Sequence, residues 1–328
     1  MLVEIKFAKL ESVQNEEFNQ PDDNAPPVIF SAETEPAAAL PTPNNPPWHI
    51  LAALGVWAMS IAFIVVLPSL FLLPYLLQKN IDLNDRKLLG EIATTDPTAI
   101  FLHILSVIPA HVLTLVLAWL VVTGFKKYSF RQTLGWNWGG FKIWHAFVIT
   151  FIFYGIIYLF AVALGRQETE FDRMVQSSRA TLYLVALFAT FTAPLVEEVI
   201  YRGILFSALQ NPRNIIFPNI SPLRRFQEFY ARHSTIFAVL LVTFLFAIVH
   251  IPQYSSNQTP EYATIAPLLM LSLTLTLIRV KTKNLLPCIV LHTVFNGLQA
   301  ILLVLQPLLE SYAPKIQENP AILIHFLM

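Results

Sequence analysis

The sequence predicts an all-α fold, a polytopic transmembrane helix bundle, and three observations carry that prediction. Of its 328 residues 55% are hydrophobic and only 13% charged, against about 25% charged in soluble domains. The apolar residues fall into repeated runs, each close to the roughly 20 residues needed to cross a bilayer. The charged residues gather between those runs, apart from a few that the argument below turns on.

Residues 1–46 stand apart. They hold eight acids against two bases, and prolines cluster from Pro21 to Pro47. Such a composition buries too little apolar surface to fold alone, so a disordered acidic tail is expected there. It lacks the basic start and apolar stretch of a cleavable signal peptide, and the first apolar helix is expected to serve as an uncleaved anchor. Seven apolar segments follow, at 49–77, 100–123, 143–164, 181–209, 235–252, 261–278 and 285–307, with an eighth helix if a further segment enters the membrane. The run at 235–252 is short and could extend backward into the polar stretch before it. The domain organisation expected is a tail (1–46), N-terminal transmembrane helices (47–180), a core (181–307) and a C-terminal tail (308–328). The stretch from Asn211 to Ser234 reads best as a solvated loop; its Arg224–Tyr230 piece would otherwise be a surface amphipathic helix.

Lys and Arg in the short loops set orientation. With the N-terminus inside, thirteen of the 21 basic residues fall on inner segments and seven on outer ones, Arg202 lying within a helix. An integral, multi-pass protein with a cytoplasmic N-terminus is therefore expected. The formal net charge of zero argues against a nucleic-acid partner, leaving the lipid bilayer and membrane-associated molecules. The single cysteine, Cys288, excludes an intrachain disulfide and a Cys-based metal cluster and reads as a small buried apolar residue.

The informative residues are the polar ones inside apolar helices. In Thr192-Ala-Pro-Leu-Val-Glu-Glu-Val-Ile-Tyr-Arg-Gly203, two adjacent carboxylates and a guanidinium lie within a span. Each such charge costs roughly 2.5–3.5 kcal/mol at the bilayer centre on insertion scales. Glu198 and Arg202 are four residues apart, one above the other on a helix face, so each offsets the other's cost. Glu197 points about 100° away, on the face of Tyr201, and is free to face a cavity. Pro194 opens the backbone just before it. Phe246-Ala-Ile-Val-His250 ends the fifth segment, and His292-Thr-Val-Phe-Asn296 places a second imidazole and an amide on one face of the seventh. A carboxylate, two imidazoles and an amide are the groups that activate a water and stabilise an oxyanion. One helix-end histidine usually satisfies a backbone carbonyl, which is the reading given to His49, His103, His111, His145, His233 and His325. The set of three four-residue spacings outweighs that reading for His250 and His292.

In this order the three blocks resemble the CPBP family, membrane proteases that include the eukaryotic CAAX-prenyl endopeptidase and bacterial Abi-type proteins. The family pattern of Glu-Glu-x-x-x-Arg, Phe-x-x-x-His and His-x-x-x-Asn is met by Glu197-Glu198…Arg202, Phe246…His250 and His292…Asn296, over roughly residues 180–300. The resemblance implies an intramembrane endopeptidase, acting on a membrane-associated and in some relatives prenylated protein. In that reading Glu197 is the general base, sharing a water with His250. His292 and Asn296 stabilise the oxyanion, Glu198 and Arg202 fix the helix, and Tyr201 and Phe246 support the site. Two His and one Glu are also a zinc set, so a metal-dependent variant would use Glu197, His250 and His292. Without a His-Glu-x-x-His, and by resemblance to the glutamate-dependent relatives, a metal-free site is favoured. Buried Glu, Arg and His also mark proton-coupled transporters, but no inverted repeat supports one. A non-catalytic scaffold on a protease fold is the third class.

Overall fold

The computed structural model describes residues 40–318 except 166, 213–220 and 257–258. The expected acidic tail up to residue 39 and the last ten residues lie outside the described part. The elements are α1 (Ile50–Gln78), α2 (Arg86–Thr95), α3 (Pro97–Leu105), α4 (Val107–Thr123), α5 (Phe130–Leu134), α6 (Ile143–Leu164) and α7 (Glu170–Gln176). They continue with the long helix α8 (Arg179–Gln210) and then α9 (Ser221–His250), α10 (Tyr262–Thr282) and α11 (Leu286–Glu318). A two-residue hairpin, β1 (Ser255–Ser256) with β2 (Thr259–Pro260), joins α9 to α10. Among the described residues seven helices are long and apolar enough to cross a membrane, α3 and α4 together forming one of them. The protein is an all-α, multi-pass integral membrane bundle.

Local chemistry explains the element ends. The Asp96 carboxylate accepts from the amides of Thr98 and Ala99, with Pro97 at the first helical position of α3, a site that needs no N–H. Pro109 denies the Leu105 carbonyl its helical partner, and the span breaks at Ser106, whose hydroxyl donates to the His103 carbonyl at 2.6 Å. Gly124, at φ 52°, ends α4 in the left-handed region. Glu261 caps α10 through the amides of Ala263 and Thr264.

Three boundaries differ from the sequence reading. Residues 224–234 are neither loop nor separate surface helix, because α9 runs unbroken from Ser221 to His250. The stretch carries Phe226, Phe229 and Tyr230 among its charges, enough apolar surface at helical spacing to continue the helix. Helix α11 extends to Glu318, past the expected end at 307. At the other end, residues 40–48 belong to the compact unit rather than to the tail. The Trp48 indole donates to the Ile204 carbonyl at 3.1 Å. The Pro43 carbonyl and Asn44 side chain accept from the buried Arg279 guanidinium at 2.7 and 3.2 Å.

Helix α8 lies at the centre. Its residues Val199–Leu209 are buried, and with residues of α1, α4 and α9 they form the larger apolar core. A second core joins α6, α10 and α11 through Phe153, Leu271, Leu275, Leu291 and Phe295. Cys288 is fully buried in it, its thiol 3.3 Å from the Leu275 carbonyl. The lipid-facing sides carry the exposed large apolar residues, among them Val65, Phe151, Leu159 and Leu240, as expected where the solvent is hydrocarbon.

The α10–α11 turn brings α11 into register with the site. Lys283 closes α10 at φ 57°, and the Leu285 amide donates to the Gly135 carbonyl at 2.9 Å. Gly135 sits at φ 73°, where an added Cβ would come within 2.7 Å of Pro43 and 2.8 Å of Asn284. Gly135→Ala is therefore expected to destabilise the fold by about 1–3 kcal/mol. A lowered midpoint of thermal unfolding in detergent checks this, with Gly140→Ala, where nothing lies within 4 Å of the added atom, as the comparison for φ strain alone.

Candidate active site

Two widened turns shape the helix that carries the glutamates. Within α8 the backbone adopts π-helical geometry over Phe188–Thr192 and again over Val199–Leu205, with Glu197 and Glu198 on the short α-helical turn between. Such segments occur frequently at functional sites. The first has an identifiable cause. In π geometry the Ala189 carbonyl pairs with the amide five residues on, which is Pro194 and has none. Asn296 fills the gap: its Nδ2 donates to that carbonyl at 2.9 Å.

The three sequence blocks meet at this turn. The Glu197 carboxylate has Oε1 3.8 Å from His250 Nε2 and Oε2 3.8 Å from His292 Nε2, with 23% of its side chain exposed. His250 Nδ1 lies 2.6 Å from the Phe246 carbonyl, an acceptor only, so that nitrogen carries the proton. Nε2 of a neutral His250 is then a lone-pair nitrogen facing Glu197. His250 thus makes the helix-end carbonyl bond of an ordinary histidine and presents its other nitrogen to a carboxylate.

Glu198 faces the other way and is fully buried. Its Oε1 accepts from Arg202 at 2.9 Å and from His292 Nδ1 at 2.8 Å. His292 therefore lies between two carboxylates, one on each ring nitrogen. Arg202 is also fully buried and donates to the Ser272 carbonyl and hydroxyl at 2.9 and 2.7 Å and to Thr276 Oγ1 at 3.3 Å. The Phe246 ring lies under this guanidinium, 4.6 Å from ring centroid to Cζ. The same ring packs tilted on His250 and edge-on to Tyr201. Tyr201 accepts from the Trp57 indole at 3.2 Å.

His292 Nδ1 bonds Glu198 and one Asn296 N–H bonds Ala189, so a common donor point would have to use His292 Nε2 and the second Asn296 N–H. His111, expected to satisfy a carbonyl, instead pairs its Nδ1 with Thr192 Oγ1 at 2.9 Å and lies within electrostatic range of Glu197. Ser272, Thr276, Trp57 and His111 are the site-forming residues that motif reading missed. Ser272 and Thr276 had a signal, since with Arg279 they form one polar face of an apolar helix at helical spacing. Trp57 and His111 are isolated in apolar runs and had none.

Zinc at about 2.1 Å from each donor in a tetrahedron sets donors about 3.4 Å apart. Here the two imidazoles address different oxygens of Glu197, each at 3.8 Å. Among the described residues no three His, Cys, Asp or Glu side chains are grouped to hold a metal ion. As arranged the residues do not fit a metal, and no step below passes through one.

A polytopic helical bundle in which a carboxylate and two imidazoles converge brings together groups that can activate a water. Residues 179–298 match the family described as Type II CAAX prenyl endopeptidase Rce1-like, a stretch that contains all three motifs. Over those residues the chain is similar to the CAAX (CPBP) protease family. Among curated proteins and among solved structures, none matches it.

Proposed function

We propose that the protein is an intramembrane endopeptidase that hydrolyses a peptide bond of a membrane-associated protein with a water activated by Glu197 and His250. The observation that carries this is the pair of 3.8 Å separations between Glu197 and the two imidazoles. They are too long for direct hydrogen bonds, yet one water at about 2.8 Å from both partners spans either of them. A water between Glu197 Oε1 and His250 Nε2 donates one hydrogen to each base and keeps a lone pair for the substrate carbonyl. Glu197 takes its proton as the hydroxide adds. Two donors are available for the oxyanion: the Asn296 N–H not bonded to Ala189, and His292 Nε2 when that nitrogen carries a proton. The collapsing intermediate expels the amine, which takes the proton from Glu197. Glu198 and Arg202 hold the turn, and Phe246 and Tyr201 wall it.

The basic-residue bias places the N-terminus in the cytoplasm in this reading. The family name points to prenylated substrates; unmodified membrane-associated peptides fit the same chemistry. The test is cleavage of a mixed panel of farnesylated and unmodified peptides by the purified protein, with and without a chelator. Cleavage that survives chelation is expected. Loss on chelation with recovery on added zinc would instead make Glu197, His250 and His292 metal ligands.

A further inference from the structure

We infer that His111, which lies in no sequence block and outside the matched residues 179–298, is a positioning residue of the site. It fixes the π-helical turn ahead of Glu197 by holding the Thr192 side chain. The inference rests on the protease reading and deepens it.

The argument begins with the weakness of that turn. A π-helical segment has poorer backbone packing than an α-helix and persists where neighbours support it. Pro194 removes one of its hydrogen bonds outright. The hydroxyls of Thr190 and Thr192 turn back on the helix, toward the carbonyls of Ala186 at 2.7 Å and Phe188 at 3.4 Å, and such back-bonding bends helices. The second of these is too long to hold Thr192 by itself.

Support comes from two sides. On one, α11 supplies Asn296 to the Ala189 carbonyl, and Gly297 lets the Thr190 methyl approach to 3.2 Å from where a Cβ would stand. On the other, α4 supplies His111, whose 2.9 Å bond to Thr192 Oγ1 is much the shorter of the two contacts that hydroxyl makes. Helix α4 also packs directly on the turn bearing Glu197. Thr192 is the last residue of the π segment and the N-cap of the turn that carries Glu197 and Glu198. Its orientation therefore sets where Glu197 stands relative to His250 and His292, each of which is fixed on a different helix. The 3.8 Å gaps that admit a water depend on that placement. A misplacement of 1 Å in a catalytic group is enough to cost about 100-fold in rate.

The test compares four variants in the peptide-cleavage assay. Asn at 111 places an amide where imidazole Nδ1 stands and keeps the bond to Thr192 without a titrating ring; Leu removes it. His111→Leu and Thr192→Val are expected to lower kcat about tenfold with KM within about twofold, and His111→Asn to recover kcat to within about threefold. The double variant His111→Leu/Thr192→Val is expected to be no slower than either single one, because the two side chains share one interaction. Multiplying losses, or a His111→Asn as slow as His111→Leu, would overturn the inference. Amide hydrogen exchange over residues 188–198 gives a second readout that needs no substrate. Faster exchange in His111→Leu and Thr192→Val, reversed in His111→Asn, is expected, and unchanged exchange in both would also overturn it. If wild type and Glu197→Gln cleave equally, Glu197 is not the base and that part of the protease reading falls, while the exchange measurement still decides the role of His111.

Discussion

Replacing Glu197 by glutamine is expected to lower peptide cleavage by about 100- to 10,000-fold, the range a general base supplies, while leaving the protein folded. The chemistry is direct: the amide cannot take a proton from water, whereas the side chain's size and one of its two oxygens are retained. The fold survives because Glu197 closes no short ion pair. Its nearest cationic candidates are the two imidazoles at 3.8 Å, and part of its side chain is exposed. Cleavage rates of the two proteins, with size-exclusion profile and thermal midpoint as folding controls, check this. Equal rates would show that Glu197 is not the base. A variant that no longer folds would show Glu197 to be structural, and the substitution would then say nothing of catalysis.

Much of this was legible in the residues, and what was not has definite causes. Hydropathy locates spans because a bilayer imposes length and apolarity on a single segment, a one-dimensional constraint. The Glu198–Arg202 pair is legible because helical periodicity puts residues four apart in contact whatever else the chain does. The same rule separates Glu197 from Glu198, and the structure turns Glu197 toward His250 and His292 and Glu198 into the buried network. The start of α9 was legible only as a possible backward extension of the short run, with a loop preferred, because Arg224, Arg225, Glu228 and Arg232 lower local hydropathy, although their spacing leaves Phe226, Phe229 and Tyr230 to continue the helix. The π segments of α8 were not legible at all. The first depends on Asn296 from another helix taking the role of a missing amide, and only Pro194 hinted that an amide would be missing. His292 shows the same limit: its spacing to Asn296 is periodic, but its partner Glu198 lies on another helix 94 positions away.

That buried partner network carries the largest stability effect. Arg202→Met is expected to destabilise the fold by about 3–5 kcal/mol, because it strands the Glu198 carboxylate in an apolar interior. Glu198 has no exposed surface, its Oε2 has no hydrogen-bond partner, and its Oε1 would keep only His292. Glu198→Gln alone is expected to cost less, since Arg202 retains Ser272, Thr276 and the Phe246 face. Removing both charges should then be milder than removing the arginine alone, because an apolar or neutral replacement of a whole buried pair is often close to neutral. The double variant is therefore predicted to unfold at a higher temperature than Arg202→Met. This inversion separates an electrostatic account from simple loss of packing: if packing dominated, the double variant would be the least stable of the three. Thermal unfolding in one detergent, followed by tryptophan fluorescence, decides between them. If Arg202→Met alone melts with wild type, the electrostatic account is wrong, and the helix turn beneath Glu197 is held by packing and hydrogen bonds rather than by charge.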